Sequence, residues 1–350
     1  MPRLQRTGTL VLMCAVYFAA GLTLAAIGPN LNAFAANIAQ DVATVGAIFV
    51  SFSLGTVVVQ LVAPQLSSRY GQRVLLALGA LCMGCGILGE SLSRSLNMLL
   101  STALVGGLGF GAILAAGSVL IPRLFAPRGA AAFNLVNLFF GLGSIIGPLL
   151  AGWNQARGGS SLLALWVGAA LLLLLLPLIS RAADVPPPQH GAGNATGRPP
   201  WGLVVLLGLM LLCYSGTEIA IGGWTAVYLE LGAAMTPEYA AFAVSGFWLA
   251  LTIGRGVGAG LGLRLNALQL LGLAGSILLC GALLLVTSVG DAQRSVVALL
   301  IMGLAGGPIF PTIMALVATA TRGRGTATSL ALGIGNWGGA LIPPALGLVL

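Results

Sequence analysis

Glu218 lies in the middle of an apolar stretch that runs from Trp201 to Tyr228, and it is the one acid placed well inside such a stretch. Left ionised and unpaired at membrane depth, a carboxylate costs roughly 2.5–3.5 kcal/mol on insertion scales, so it is expected to face a cavity or a partner. Burial of this kind also brings proton exchange into the physiological range. Glu218 is therefore the candidate for proton coupling, for hydrogen bonding to a polar ligand, or for both. The alternative is an acid that only holds its own helix in place. Arg255 is the other charge inside an apolar stretch. At about 1.5 Å per residue, counting from Arg264 puts Arg255 about 13 Å from one face. Counting from Trp201 puts Glu218 about 25 Å from the same face. The expected gap of about 12 Å excludes a direct pair. Arg255 then reads as a gate or packing residue at one end, or as a charge that snorkels out of the apolar layer.

Uncharged polar and aromatic groups are the next candidates. Amides meet the hydroxyls of a small polar ligand, and aromatic rings meet its apolar faces. Tyr17, Gln60, Asn134, Asn137, Trp224, Tyr228, Trp248, Asn336 and Trp337 qualify as ligand contacts, although each taken singly also suits helix packing or an interfacial anchor. Trp201 and Tyr239, at the ends of stretches, belong to an interfacial belt. Cys14, Cys82, Cys85, Cys213 and Cys280 all fall in apolar stretches and read as neutral buried thiols; the Cys82–Cys85 spacing has no second pair or nearby histidine to complete a metal site. The sole histidine, His190, lies in a polar segment. No catalytic cluster, metal or cofactor is expected, and an enzyme is not.

These residues need elements to hold them, and the composition states which. Of 350 residues, 58% are hydrophobic and 6% charged, with a mean hydropathy of +1.04. Soluble domains carry about 25% charged residues. Lipid must solvate most of this exterior. The 52 glycines, set in long apolar segments, suit helices packed closely through small residues. The net charge of +8 comes from arginines placed singly or in pairs between apolar segments, which argues against nucleic-acid binding.

A membrane-crossing helix needs about 20 apolar residues. Eleven segments qualify, at about 8–28, 42–66, 74–93, 96–121, 130–152, 161–180, 201–228, 239–263, 267–289, 294–320 and 327–350. β-Barrel strands would be about half as long and alternate in polarity, which these segments do not. With the N-terminus cytoplasmic, Arg3, Arg6, Arg69, Arg73, Arg123, Arg128, Arg181, Arg198, Arg264, Arg322 and Arg324 fall on the inner side, against Arg94, Arg157 and Arg294 outside. That is the positive-inside bias. Most acids, Asp41, Glu90, Glu230, Glu238 and Asp291, fall outside. Residues 181–200, with Pro186-Pro187-Pro188 and several glycines, read as a cytoplasmic linker between a six-helix half at 1–180 and a second half at 201–350. The Asn194-Ala-Thr196 sequon would be inert there.

The halves repeat at an offset of about 195 residues. Gly143-Ser-Ile-Ile-Gly147-Pro148 is answered by Gly339-Ala-Leu-Ile-Pro343-Pro344, Arg128-Gly129 by Arg324-Gly325, Arg69 by Arg264, and Tyr17 by Tyr214. Parallel repeats describe two bundles related by an axis along the membrane normal.

Gln65-Leu-Ser-Ser-Arg69-Tyr-Gly71-Gln-Arg73 resembles the signature loop of the major facilitator superfamily, with Arg69, Gly71 and Arg73 in register, Gln65 in place of the first glycine and Ser68 in place of the aspartate. Tyr214-Ser-Gly-Thr-Glu218, Phe247-Trp-Leu-Ala-Leu-Thr-Ile-Gly254-Arg255 and Asn134-Leu-Val-Asn137 resemble its fucose permease-like branch of sugar–proton symporters. The resemblance implies an all-α fold of two pseudo-symmetric six-helix halves and a central cavity exposed alternately to each side. It implies a small-molecule solute and a proton as partners, with Arg69, Gly71, Arg73, Arg255 and Arg264 as conformational gate residues. A complete member has twelve spans, so the twelfth is expected to be missing. A proton-coupled carrier of a small polar solute, a sugar first, is the expected function, in a monomer in the bacterial cytoplasmic membrane. Gly143 to Gly152 also resembles the span-five motif of drug–proton antiporters, so an exporter is the nearest rival, and a non-transporting receptor or scaffold the rival of another class.

Overall fold

The computed structural model describes residues 3–126, 128–185, 200–321 and 325–347. His190, the Asn194 sequon, the 186–188 prolines, Arg198, Arg322, Arg324 and the chain end at Leu350 lie outside the described residues. Within them the fold is helical. The chain divides into two compact units, Met1–Gln189 and His190–Leu350.

The first unit runs α1 (Arg3–Ala26), α2 (Leu31–Ile38), α3 (Val42–Val45), α4 (Ala47–Tyr70), α5 (Gln72–Leu92), α6 (Leu96–Leu124), α7 (Gly129–Gln155), α8 (Leu163–Leu174) and α9 (Leu176–Ile179). The second runs α10 (Trp201–Gly232), α11 (Pro237–Leu261), α12 (Ala267–Val286), α13 (Ala292–Gly306), α14 (Ile309–Thr321), α15 (Gly325–Asn336) and α16 (Gly338–Gly347). Nine spans among the described residues are long and apolar enough to cross a membrane, with Leu163–Ile179 shorter. Helices suit this composition because they satisfy their backbone groups internally, as lipid requires.

Several boundaries differ from expectation for local reasons. The segment expected at 161–180 breaks at Leu175, where Pro177 lacks an N–H and crowds the preceding turn. The one at 294–320 starts earlier, at Ala292, because the Asp291 carboxylate caps it by accepting from Arg294 N at 3.0 Å. It is interrupted at Gly307-Pro308. The last expected span is split at Trp337 into two short helices. Asp41 caps α3, accepting from Thr44 N at 2.7 Å and Thr44 Oγ1 at 2.8 Å, and these bonds hold its carboxyl below the usual range.

The packing order is the same in both units. In the first, α6 lies against α4 and α5 while α1 pairs with α7; in the second, α13 lies against α11 and α12 while α10 pairs with α15 and α16. Glycine sets the closest of these approaches. A Cβ on Gly303 of α13 would lie 2.6 Å from the Phe247 carbonyl oxygen of α11, and one on Gly107 of α6 would collide with the Phe52 carbonyl of α4. Side chains there would force the helices apart.

The signature loop carries its own surprise. Gly71, at φ +86°, joins α4 to α5 in a conformation that favours glycine. Asp184, just past α9, brings its carboxylate to this turn and accepts from Gln72 N at 3.2 Å and Val185 N at 2.9 Å. The acid missing at Ser68 is thus matched by one reaching the first turn of α5 from 112 residues away. Arg69 and Arg73 are exposed, Arg69 over the Tyr70 ring at 5.3 Å.

Candidate functional site

In the second unit, α10 and α11 descend from a common turn at 233–236 and bring Glu218 and Arg255 together. Arg255 Nη2 lies 3.6 Å from Glu218 Oε1, with side-chain exposures of 36% and 16%. This corrects the expectation of a 12 Å gap. That count began at the far ends of the helices, which do not end level; α10 is 32 residues long and α11 25. Measured from the shared turn, the residues differ in depth by about four positions, or about 6 Å, which an arginine side chain spans.

Around the pair the surroundings turn apolar. Tyr214, Thr217, Ile221, Phe247, Leu251, Leu278, Met302 and Gly306 join Glu218 in lining a small cleft, with room for a group the size of a water molecule. Tyr214, one helical turn before Glu218, donates its hydroxyl to Gly306 O at 2.8 Å. That carbonyl stands beside the Gly307-Pro308 interruption, where Pro308 brings no N–H to the helix ladder. A carboxylate paired with a guanidinium in a small, mostly apolar cleft has its charge offset. Gaining a proton would release the arginine. The arrangement suits a group that changes partner with protonation.

The other candidates spread more widely. Trp224 is fully buried and donates Nε1 to Pro343 O at 2.8 Å. Tyr17 is likewise buried, edge-on to Phe133, its hydroxyl without a hydrogen-bond partner among the described residues. Tyr228 is half-buried and donates to Leu285 O at 2.9 Å. Trp248 is buried against Phe247, with Nε1 unpartnered among the described residues. Asn137 donates back to Phe133 O at 2.9 Å within its own helix. Gln60 and Asn336 are half-buried, and Asn134, Trp337 and Arg264 are exposed. Of all these candidates, the geometry joins Glu218 and Arg255 directly.

Sequence reasoning missed the cleft residues Thr217, Met302 and Leu278, which carry no distinctive spacing. It also grouped Glu90 with the acids of the outer side without foreseeing its burial. Glu90 belongs to α5 and is fully buried. The signal was available: Gly79, Met83, Gly86 and Glu90 recur at helical spacing on the buried face of α5.

Two helical units rich in long apolar helices, with a partly exposed ion pair in one, define a multi-pass membrane protein. The chain belongs to the Major Facilitator Superfamily, whose profile matches residues 13–343. It is 24% identical over 311 residues to an uncharacterized MFS-type transporter of Yersinia pestis, covering 85% of this chain and 77% of that one. It is 28% identical over 149 residues to the sodium-dependent glucose transporter 1 of Rattus norvegicus, covering 43% of this chain and 31% of the rat protein. Its fold is similar to that of a D-xylose–proton symporter, with a TM-score of 0.77 at 13% identity, covering 98% of this chain and 90% of the other. The fold of FucP, a superfamily transporter in an outward conformation, matches with a TM-score of 0.62 at 20% identity, over 97% of this chain and 91% of the other. These matches agree with the major facilitator resemblance of the sequence.

Proposed function

We propose that the chain carries a small polar solute, a sugar in the reading we favour, across a membrane by proton-coupled alternating access. The observation that carries this is the Glu218–Arg255 pair at 3.6 Å beside a water-sized cleft. Protonation of Glu218 removes the pair's attraction and frees Arg255, so proton occupancy and the local arrangement of α10 and α11 are linked. Solute binding that favours one arrangement is then coupled to the proton by the same amount. The repeated packing order of the units supports two pseudo-symmetric halves, six helices at 1–180 and five spans of the second half at 201–350, joined by a linker at 181–200. Arg69, Gly71, Arg73 and Arg264 act at the connections as gate residues. The arginine bias supports a cytoplasmic N-terminus, and we read the carrier as a monomer of the bacterial cytoplasmic membrane. Glucose and xylose in the names of similar proteins support a sugar. The half-buried amides Asn137, in the first unit, and Asn336, in the second, are candidate ligand contacts, each considered within its own unit.

Flux into proteoliposomes tests this. With a sugar panel and a pH-sensitive dye inside, sugar addition is expected to drive proton entry in the wild type and not in Glu218→Gln. Proton entry that persists in E218Q removes Glu218 from coupling. Uptake that follows a sodium gradient and ignores the proton gradient refutes proton coupling altogether.

A further inference from the structure

Glu90 is buried in the first unit, and nothing in the proposed mechanism uses it. Its exposure is 0%, and neither carboxylate oxygen has a hydrogen-bond partner among the described residues. It sits two residues before the end of α5, pressed on the backbone of α6; a Cβ on Gly106 would lie 3.1 Å from Glu90 Oε1 and 3.4 Å from the Phe52 ring of α4.

The donors nearby are spent elsewhere. Ser91 Oγ donates to Leu88 O at 2.8 Å while accepting from Trp166 Nε1 of α8 at 3.0 Å. Ser93 Oγ donates to Gly89 O at 2.7 Å, and Thr102 Oγ1 to Met98 O at 2.8 Å. Among the described residues, countercharge is missing too. The elements packed on α5 are α6, α8, α4, α9 and α1. Arg123 of α6 and Arg69 and Tyr70 of α4 occupy the last turns of their helices, at the end of the unit away from the 93–95 turn. Tyr17 of α1 meets α6 at Gly117, about 16 Å along that helix from Gly106, and Cys14 and Arg6 precede it on α1. The helices α8 and α9 carry no titratable group. On α5 itself Arg73, Cys82 and Cys85 lie earlier in the helix, and Arg94 beyond it is exposed and makes no ion pair with Glu90.

An ionised carboxylate so placed has neither donors nor a countercharge among the described residues, which burial does not tolerate. The fold does not require an acid here either. At the offset of the sequence repeat, Glu90 corresponds to Leu285, an apolar residue in α12.

We infer that Glu90 is a proton-binding site that closes this end of the α4–α5–α6 packing: the helices hold together with the carboxyl protonated, and losing the proton parts them. The ligand is a proton drawn from water at the 93–95 turn, where Arg94 and Ser95 are exposed. On opening, the carboxyl O–H breaks, its electron pair stays on the carboxylate, and the proton passes to water. The closed packing holds one proton more than the open one. Opening therefore rises with pH, by about tenfold per pH unit once the exposed carboxyl is ionised. This site stands apart from Glu218 and does not depend on the reading above.

The test uses the full chain in lipid, with wild type, Glu90→Gln, Glu218→Gln and a wild type bearing ¹³C-carboxyl glutamate. Infrared difference spectra are recorded through a pH titration. Amide hydrogen exchange of residues 86–102 is followed in parallel and divided by the intrinsic exchange rate. The expected result is a protonated-carboxyl band at neutral pH that shifts on ¹³C labelling, survives in E218Q and is lost in E90Q. Exchange in 86–102 is expected to rise about tenfold per pH unit while that band persists, to level off as it disappears, and to be flat in E90Q. The wild-type titration alone decides the matter if E90Q fails to fold. The absence of a labelled acid band at neutral pH overturns the inference, as does a band lost only in E218Q. A band that titrates without any change in exchange overturns it as well.

Discussion

Removing one member of the Glu218–Arg255 pair at a time should destabilise the protein unequally. The distance of 3.6 Å and the unequal exposures, 16% for Glu218 and 36% for Arg255, set the asymmetry. Breaking a fully buried pair by deleting one partner costs about 3–5 kcal/mol, because the remaining charge is stranded. Arg255→Met strands the better-buried group, Glu218, but the partly wet site screens the loss, and about 1–3 kcal/mol is expected. Glu218→Gln strands a guanidinium that already reaches solvent, so its cost is expected to stay below about 1 kcal/mol. The double variant should resemble E218Q alone, leaving a coupling as large as the Arg255→Met cost, about 1–3 kcal/mol. Unfolding titrations with a denaturing detergent in mixed micelles, for all four proteins at low and high salt, measure each corner of the cycle. A coupling within about 0.5 kcal/mol of zero would refute the pair as a stabilising contact. E218Q costing more than R255M would refute the asymmetry drawn from burial.

Three further outcomes follow from single contacts. Tyr214→Phe removes the donor to Gly306 O and is expected to cost about 1 kcal/mol in the same titration, with faster amide exchange across 304–312. Gly303→Ala is expected to cost about 1–3 kcal/mol through forced separation of α11 and α13; Gly107→Ala should cost more than that, since its added methyl meets the Phe52 carbonyl more closely, while Gly256→Ala, with nothing within 4 Å, should be near neutral. Asp184→Ala should cost about 1 kcal/mol and speed exchange of the Gln72 amide, an effect Asp184→Asn reproduces only in part.

The membrane class and most of the helices were legible because lipid imposes a coarse rule: about 20 apolar residues per crossing. What that rule does not encode is where a helix breaks inside its apolar run. Pro177 and Pro308 interrupt runs whose hydropathy is continuous, because a missing N–H does not alter an average. Glu218 was legible since a charge deep in an apolar run is conspicuous. Its partner was not, because the depth of a side chain depends on which end of two unequal helices is level, and sequence supplies neither end. Asp184 at the Gly71 turn was invisible for a related reason. The residues are 112 apart, between Gln72 and Asp184, and nothing local ties them. The burial of Glu90 was overlooked because it was counted only with the outer-side acids, although its helical register with Gly86 and Met83 pointed inward.

The buried Glu90 and the half-buried Glu218 meet the cost of their charge in opposite ways, and that difference separates their behaviour. Glu218 has a guanidinium at 3.6 Å, so its anion has company, and adding a proton is the event that disturbs the site. Glu90 has no donor and no cation among the described residues, so its neutral form costs far less than its anion, and removing a proton is the event that disturbs the site. Acidification should therefore act first on α10 and α11, and alkalinisation first on α5 and α6. Amide exchange resolved by helix across a pH series distinguishes the two. If both ends of the range loosened the same helices, the electrostatic contrast between the acids would not be what governs them.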